Sequence, residues 1–318
     1  MNGIAAPIVA YEAAPTPDDL APREYLKTRP KVSVVMVVYR TGEALEQSLT
    51  CVLAESEVDE LIIVDNGSTF TEAARLRGVA ERDSRVVLLT GHGNIGFARG
   101  ANLGARRARG DIFLFLNPDA FLQPGCVAEL ARALAGRPTP CIVGGRVLNV
   151  DRTEQRGARR GEITLISALM SLSHLARRVP AFSRYEVHWE TDAAPEGVAA
   201  IPTISGACLA MRRQDFDAVQ GFDEGYFLHV EDVDLCWRVR QAGGVVLFQP
   251  KAEVVHLGHT SHASPIKVEF HKGVGLARYF RKRAASLSQV LLAWLMSPVI
   301  VCTAVVRPVM WRVRGRTS

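Results

Sequence analysis

The sequence lacks several features that would place it in other protein classes. Its six cysteines are dispersed through 318 residues without a CxxC pair, which argues against a zinc site or a disulfide framework and is typical of a reducing cytoplasm. The first thirty residues contain no basic start followed by an apolar run, so we expect a flexible arm over residues 1–30 and no signal peptide. The net charge is only +5, and we expect no nucleic-acid partner.

The excess positive charge is concentrated in four arginine-rich segments. They cover residues 106–109, 152–160, 278–283 and 307–316. Clusters of this kind are typical of surfaces that meet phosphates or an anionic membrane.

Charged residues are also missing from positions 284–306, where the chain is almost continuously apolar. A helix of this length could cross a bilayer. Pro298, several polar side chains and arginines at both ends argue against a full crossing. We therefore expect a helix in the cytoplasmic leaflet, assisted by Arg278, Arg281, Lys282 and Arg283, within a membrane-associating region over residues 259–318. The protein would be peripheral on the inner face of the cell membrane; a buried terminal helix is the alternative.

The first half of the chain alternates strand and helix patterns. Strands are predicted at 32–39, 60–68, 85–90 and 111–120, and helices at 43–54, 71–81 and 97–109. This order predicts a parallel sheet whose ligands bind at the carboxyl ends of the strands. Residues 31–120 would form a nucleotide-binding half and residues 121–258 an acceptor and catalytic half. The segment 151–200 breaks the rhythm and is expected to cover an acceptor.

One glycine motif favours a different class of enzyme. Residues 91–96, GHGNIG, match GxGxxG between a strand and a helix, as in a dinucleotide site. The motif follows the third strand, however, and Asp119 belongs to an Asn-Pro-Asp sequence rather than standing alone as a ribose-binding acid. Asn94, Gly96 and Arg99 are better explained as a tight turn that meets a nucleotide at a helix N-terminus. A nicotinamide-dependent oxidoreductase stays open as an alternative.

The stretch GFDEGYFLHVEDVDLCWRVRQAG, residues 221–243, combines five carboxylates with aromatic residues. A helix that begins near Val230 would carry Glu231, Asp232 and Asp234 in its first turn, where the helix dipole favours carboxylates. Asp234 is expected to pair with Arg238 at i,i+4 spacing. The residues alone also permit a simple acidic helix start with Asp223 as its cap.

The chain contains, in order, VSVVMVVYR, IIVDNGST, GNIGFARGAN, LFLNPDA, residues 205–243 and then His256. Together these segments resemble glycosyltransferase family 2 and its bacterial rhamnosyltransferase-like branch. The resemblance covers about residues 32–258. It implies the GT-A fold, a Rossmann-like, mostly parallel α/β sheet flanked by helices. It further implies a nucleotide-sugar donor, a divalent metal (Mg²⁺ or Mn²⁺) and inversion at the anomeric carbon. The expected donor is dTDP-L-rhamnose, with UDP- and GDP-sugars open, and the expected acceptor is a polyprenyl-diphosphate-linked saccharide in polysaccharide biosynthesis.

The resemblance also implies roles for individual residues. Asp232 matches the family's catalytic base, and Glu231 would orient it or touch the acceptor. Asp119 and His256 would hold the metal, since Asn117 replaces the first acid of the family's Asp-x-Asp. The donor-binding residues are expected at the strand ends and in the Ser-Gly-Ala segment: Tyr39, Asp65, Asn94, Gly96, Arg99, Asn117, Ser205 and Gly206. An Asx turn remains the alternative for Asp65, and a surface loop the alternative for His259, His262 and His271.

Overall fold

The computed structural model of the protein describes residues 29–173, 175–258, 260–261 and 263–314. The predicted arm therefore falls almost wholly outside the described residues, as do His259 and His262. The strands are β1 (Val32–Val38), β2 (Val58–Asp65), β3 (Val86–Leu89), β4 (Ile112–Leu116), β5 (Ala120–Leu122), β6 (Cys141–Leu148), β7 (Arg159–Arg160), β8 (Ala199–Ala200), β9 (Thr203–Ile204), β10 (Cys208–Arg212) and β11 (Val245–His256). The helices are α1 (Ala44–Ala54), α2 (Phe70–Arg82), α3 (Phe97–Arg107), α4 (Cys126–Leu134), α5 (Leu165–Leu172), α6 (Leu175–Arg178), α7 (Arg213–Ala218), α8 (Glu231–Gln241), α9 (Pro265–Arg283) and α10 (Leu287–Arg314).

The main sheet has the order β3-β2-β1-β4-β10-β6-β11-β5, and β8 pairs with β11. The first four strands in this order are parallel to one another, as predicted. All seven residues of β1 are buried, which explains its continuous β-branched sequence. β10 is antiparallel to both β4 and β6, so the second half of the sheet is mixed.

The expectation of one strand over residues 111–120 is wrong. β4 ends at Leu116, and the chain turns at Asn-Pro-Asp before β5 begins at Ala120. Pro118 has no backbone N–H to donate to a ladder, which is consistent with a strand ending here. β5 pairs with β11 in a register that places Ala120 opposite His256. The turn therefore brings Asp119 to the end of β11.

Helices cover both faces of the sheet. One core cluster includes buried residues of α3, α7, α8 and α9, and the other includes those of α1, α2 and α4. α2 begins with a capping box, in which Thr69 and Glu72 satisfy each other's backbone N–H groups. α3 packs directly on the sheet, since a Cβ atom at Gly104 would clash with Val35 Cγ1. The helices thus leave the carboxyl edge of β1, β2 and β4 as the place for a site.

At the C-terminal end, α9 and α10 pack as a hairpin. A Cβ atom at Gly273 would lie 2.9 Å from Val301 Cα, so the two backbones approach closely. The segment Leu287–Val306 has a mean hydropathy of 2.1, but only 22 % of its most apolar window is buried. The exposed large apolar residues of α10 are Leu287, Leu291, Leu292, Trp294, Leu295, Val299 and Val306. The alternative of a buried terminal helix is therefore not what the structure shows.

Candidate active site

Asp119 and His256 face each other at the junction of β5 and β11. Oδ1 of Asp119 lies 3.1 Å from Nε2 of His256, and Oδ2 accepts a hydrogen bond of 2.9 Å from the Thr260 hydroxyl. Nδ1 of His256 donates to Gln155 Oε1 over 2.7 Å, which fixes the ring so that Nε2 points at the carboxylate. Burial opposes the ionisation of Asp119, but His256 and Thr260 outweigh it and lower the pKa of the carboxyl. Asp119 is therefore a carboxylate near neutral pH.

The side chains of this pair fit a divalent metal. Carboxylate oxygen and imidazole nitrogen are suitable ligands for Mn²⁺, and carboxylate oxygen suits Mg²⁺. The Asn117 side chain also reaches this point, with its Nδ2 atom 3.2 Å from His256 Nε2. Within the described part of the chain, no cluster of three or more His, Cys, Asp or Glu side chains could hold a metal. Donor phosphate oxygens and water would have to complete the coordination shell.

Asp232 stands at the start of α8, where both of its carboxylate oxygens accept hydrogen bonds. Oδ2 accepts from Arg160 Nη2 at 2.6 Å and from the Gly206 N–H at 3.0 Å. Oδ1 accepts from the Val233 N–H at 2.8 Å. Burial raises the energy of the charged form, but Arg160 and the two N–H groups outweigh this effect and lower the pKa of Asp232. The predicted base is thus an ionised carboxylate with a fixed orientation.

Glu231 has the opposite environment. It is 7 % exposed, and its Oε2 atom is buried without a hydrogen-bond partner. Burial, followed by the charge of Asp232, raises the pKa of Glu231. The two adjacent carboxyl groups therefore favour different protonation states, as is typical of acid–base sites.

Two other acids of residues 221–243, Asp223 and Asp234, form ion pairs within the protein. Asp234 accepts from Arg238 Nε at 2.7 Å, which confirms the predicted i,i+4 pair. Asp223 does not cap α8, so that alternative is wrong: its carboxylate pairs with Arg278 at 2.9 Å and Lys282 at 2.8 Å. These contacts secure the loop before α8 against α9.

On the donor side, Asp65 forms the Asx turn that the sequence left open. Its Oδ1 atom accepts from the N–H groups of Gly67 at 3.1 Å and Ser68 at 2.8 Å. The Tyr39 ring lies beside this turn, since a Cβ atom at Gly67 would be 3.7 Å from it. The ends of β1 and β2 thus meet, and base recognition by Asp65 stays a prediction.

The Gly91–Gly96 segment folds as a tight turn against Phe227. Asn94 Oδ1 accepts from the Gly96 N–H at 3.0 Å, and the Phe97 N–H donates to the Phe227 carbonyl at 2.7 Å. Gly96 has φ +84°, and a Cβ atom there would lie 2.6 Å from the Phe227 oxygen. Arg99 is exposed, and its Nε atom lies 3.7 Å from Glu224. Its role in donor binding stays a prediction.

The Ser-Gly-Ala segment connects the Asp119–His256 pair with Asp232. The Asn117 N–H donates to the Ala207 carbonyl at 3.0 Å, while the neighbouring Gly206 N–H donates to Asp232. Ser205 Oγ accepts from the Ala207 N–H at 3.2 Å, so its hydroxyl shapes this loop. Asp119 and Asp232 are consequently held by adjacent parts of one framework.

Sequence reasoning missed Arg160, Gln155 and Thr260. Arg160 and Gln155 lie within the arginine-rich segment 152–160, which we expected to meet phosphates or a membrane. Instead, its arginines pair with carboxylates of the same chain: Arg152 with Glu253, Arg156 with Glu186 and Glu190, Arg159 with Glu154, and Arg160 with Asp232. No local sequence pattern indicates these partners, because most lie far away along the chain.

The chain belongs to a known family of enzymes. Residues 33–219 match the model of glycosyl transferase family 2, and the chain is therefore a glycosyltransferase of this family. Within the family it lies in the rhamnosyltransferase-like branch. It is 30 % identical over 245 residues to an N-acetylglucosaminyl-diphospho-decaprenol L-rhamnosyltransferase of Mycobacterium tuberculosis, covering 73 % of this chain and 76 % of the relative. It is 22 % identical over 247 residues to rhamnosyltransferase WbbL of Escherichia coli K12, covering 73 % and 86 %.

Solved structures establish the GT-A fold. The mannosyltransferase PcManGT from Pyrobaculum calidifontis, in complex with GDP-Man and Mn²⁺, superposes with a TM-score of 0.58 at 18 % identity, covering 94 % of this chain and 77 % of its own. GalNAc-T7 with UDP, GalNAc and Mn²⁺ gives 0.56 at 16 % identity, covering 81 % and 51 %. The oxidoreductase alternative is wrong, because the glycine motif lies in a glycosyltransferase and follows the edge strand β3.

Proposed function

We propose that this enzyme transfers L-rhamnose from dTDP-L-rhamnose to a polyprenyl-diphosphate-linked saccharide, with inversion, in cell-surface polysaccharide biosynthesis. The observation that carries the proposal is the ionised Asp232, held in the same framework as the Asp119–His256 pair. Residues 31–120 bind the nucleotide, and residues 121–258 supply the base and the acceptor contacts. Tyr39, Asp65, Asn94, Gly96, Arg99 and Asn117 lie on the donor side.

In the proposed reaction, the acceptor hydroxyl gives its proton to Asp232 as its oxygen bonds to the anomeric carbon. The bond between that carbon and the nucleotide diphosphate breaks, and a single displacement inverts the configuration. Asp119 and His256 would hold Mg²⁺ or Mn²⁺, which would supply positive charge for the leaving diphosphate. Glu231, protonated beside Asp232, would orient the base or contact the acceptor.

The choice of rhamnose and of a lipid-linked acceptor is supported by the names of the relatives. The Mycobacterium tuberculosis relative is named for L-rhamnose transfer to N-acetylglucosaminyl-diphospho-decaprenol. UDP- and GDP-sugars are the competing donors, since the solved neighbours contain GDP-Man or UDP.

A lipid-linked acceptor requires access to the membrane, and the hairpin of α9 and α10 offers a suitable surface. The exposed apolar side of α10 continues onto α9 through Phe270 and Val274. The helix α9 carries charged side chains and packs along α10. A full crossing of the bilayer by α10 would bring these charges towards the apolar interior, so a position of α10 in the membrane–water interface is favoured.

The basic residues near this surface contribute less to membrane binding than the sequence suggested. Arg278 and Lys282 pair with Asp223, and Arg283 pairs with Glu162 at 2.6 Å. We propose a peripheral position on the cytoplasmic face, held mainly by apolar contacts.

A thermal-shift panel tests the donor. Purified protein is heated with dTDP-L-rhamnose, UDP-sugars and GDP-sugars, each with Mn²⁺ and with chelator. A ligand that binds the folded state raises the midpoint of unfolding. The proposal predicts the largest shift with dTDP-L-rhamnose plus metal. A larger metal-dependent shift with a UDP- or GDP-sugar would overturn the choice of donor.

A further inference from the structure

We propose that Arg160 is a positioning residue for the base: its guanidinium holds Asp232 so that Oδ1 is the oxygen that receives the acceptor proton. The inference rests on the proposed function and adds to it a residue that no motif identified. Its support is the geometry of the β7–β9 ribbon and of the buried ion pair.

The ribbon delivers Arg160 to the site. β7 pairs with β9 so that Arg160 lies opposite Thr203 and Arg159 opposite Ile204. Successive side chains of a strand point to opposite faces. Arg159 uses one face, where it bonds to Glu154 at 2.6 Å and to the carbonyl oxygens of Trp189 and Asp192. With Arg159 fixed in this way, Arg160 is directed to the other face and reaches Asp232.

The contact of Arg160 with Asp232 is short and largely shielded from water. Nη2 of Arg160 lies 2.6 Å from Asp232 Oδ2 and 2.9 Å from the carbonyl oxygen of Ile204. The Arg160 and Asp232 side chains are 15 % and 13 % exposed. Because the same Nη2 atom binds both partners, the guanidinium ties the base to the backbone of β9.

The hydrogen bonds distinguish the two carboxylate oxygens. Oδ2 accepts two bonds, from Arg160 and from the Gly206 N–H, which use both of its lone pairs. Oδ1 accepts only the Val233 N–H among the bonds of the described residues, which leaves it one lone pair. The acceptor O–H bond would break as a new O–H bond forms at Oδ1, while Arg160 stays on Oδ2.

Arg160 also supplies a positive charge that offsets the effect of burial on the Asp232 carboxylate. Among the described residues, the titratable groups that act on Asp232 or are acted on by it include Arg160 from β7 and Glu231 and Cys236 from α8. Arg160 is the cation among them that hydrogen-bonds the carboxylate. Without it, Asp232 would be a buried carboxylate beside a second carboxyl group, and its pKa would rise.

The test compares Arg160→Gln, Arg160→Lys and the control Arg156→Gln in the full chain. Arg156 lies in the same insert and pairs with Glu186 and Glu190 rather than with the base. Each protein is assayed with dTDP-L-rhamnose and N-acetylglucosaminyl-diphospho-polyprenol across a pH series, after its unfolding midpoint has been checked. Arg160→Lys keeps the charge and provides a second variant if Arg160→Gln folds poorly.

We expect Arg160→Gln to lower kcat by about tenfold or more, with the donor KM changed by less than about threefold. The acid limb of its kcat profile should move to higher pH by about one unit or more, because the base loses its cation. Arg160→Lys should restore part of both effects, and Arg156→Gln should leave the acid limb in place. An unmoved acid limb in folded Arg160→Gln, or an equal movement in Arg156→Gln, overturns the inference. An inactive wild-type enzyme with every donor of the panel instead overturns the proposed function, and this inference with it.

Discussion

His256 Nε2 lies 3.1 Å from Asp119 Oδ1, although the two residues are 137 positions apart in the chain. The contact exists because the chain leaves β4 at Asn117 and re-enters the sheet as β5, beside the end of β11. Gln155 orients the imidazole and Thr260 holds the second carboxylate oxygen. Two neighbouring strands, β5 and β11, therefore bring together the pair that we propose as the metal site.

Replacement of Asp119 by alanine should weaken donor binding only when metal is present. The loss should be about tenfold to a hundredfold, since the one carboxylate of the proposed metal site is removed. Calorimetric titration with dTDP-L-rhamnose, with Mn²⁺ and with chelator, measures it. Thr260→Val is the control, because it removes a hydrogen bond to Asp119 and keeps the carboxylate. Equal donor affinity in wild type and Asp119→Ala with Mn²⁺ would contradict the assignment.

Gly96→Ala should destabilise the protein more than Gly91→Ala. Both glycines have positive φ, +84° and +90°, so both variants carry backbone strain. Only Gly96 lies against Phe227, where the new Cβ would clash with a carbonyl oxygen, whereas Gly91 has open space around it. We expect about 1 kcal/mol for Gly91→Ala and about 3 kcal/mol or more for Gly96→Ala. Urea denaturation measures both, and equal losses would show that the Phe227 contact is unimportant.

Glu231→Gln should make stability less sensitive to rising pH. A carboxyl group whose pKa is raised in the folded protein contributes stability that is fully present below its unfolded-state pKa of about 4.3. That contribution is lost as pH rises to the raised value, by at most about 1.4 kcal/mol per pH unit. Glutamine has no such titration. The unfolding midpoint of Glu231→Gln relative to wild type should therefore increase with pH from 4 towards neutral, as measured by thermal melts. A constant difference across this range would mean that the pKa of Glu231 is not raised.

Leu295→Asp should reduce binding to vesicles that contain anionic lipid. Leu295 is 71 % exposed on α10, and its transfer into the interface should contribute about 1.5–3 kcal/mol. We expect a loss of about tenfold or more in co-sedimentation. Phe70→Asp is the control, since Phe70 is 85 % exposed at the start of α2. A similar loss in both variants would argue against the hairpin as the membrane contact.

The sequence predicted the parts of the fold that depend on local pattern. The β-branched run predicted β1, and the helix periodicities predicted α1, α2 and α3. The predicted bounds of these three helices agree with the observed bounds to within two residues. The break after Leu116 was missed because the predicted strand was extended through Asn-Pro-Asp to Ala120, although Pro118 interrupts the apolar pattern there. The pairing of β5 with β11 shows that β4 and β5 are separate strands.

The residues of the candidate site could be proposed from the sequence where they belong to a motif. The resemblance singled out Asp232, Asp119 and His256, and the structure brings Asp119 and His256 together, while their roles as base and metal ligands stay predictions. Arg160 could not be predicted in the same way. Its partner is 72 residues away, and an arginine in a basic cluster has the same sequence signature whether it meets a lipid or a buried carboxylate.

Transfer by wild type, Asp232→Asn and Asp217→Asn, with labelled dTDP-L-rhamnose and N-acetylglucosaminyl-diphospho-polyprenol, tests the central claim most directly. Asp217 is exposed on α7, so its variant makes the same charge change away from the base. We expect labelled lipid from wild type and Asp217→Asn, and at least about a hundredfold slower formation by Asp232→Asn with donor binding preserved. Transfer by Asp232→Asn at the wild-type rate would contradict the account, as would a loss of donor affinity equal to that of Asp119→Ala.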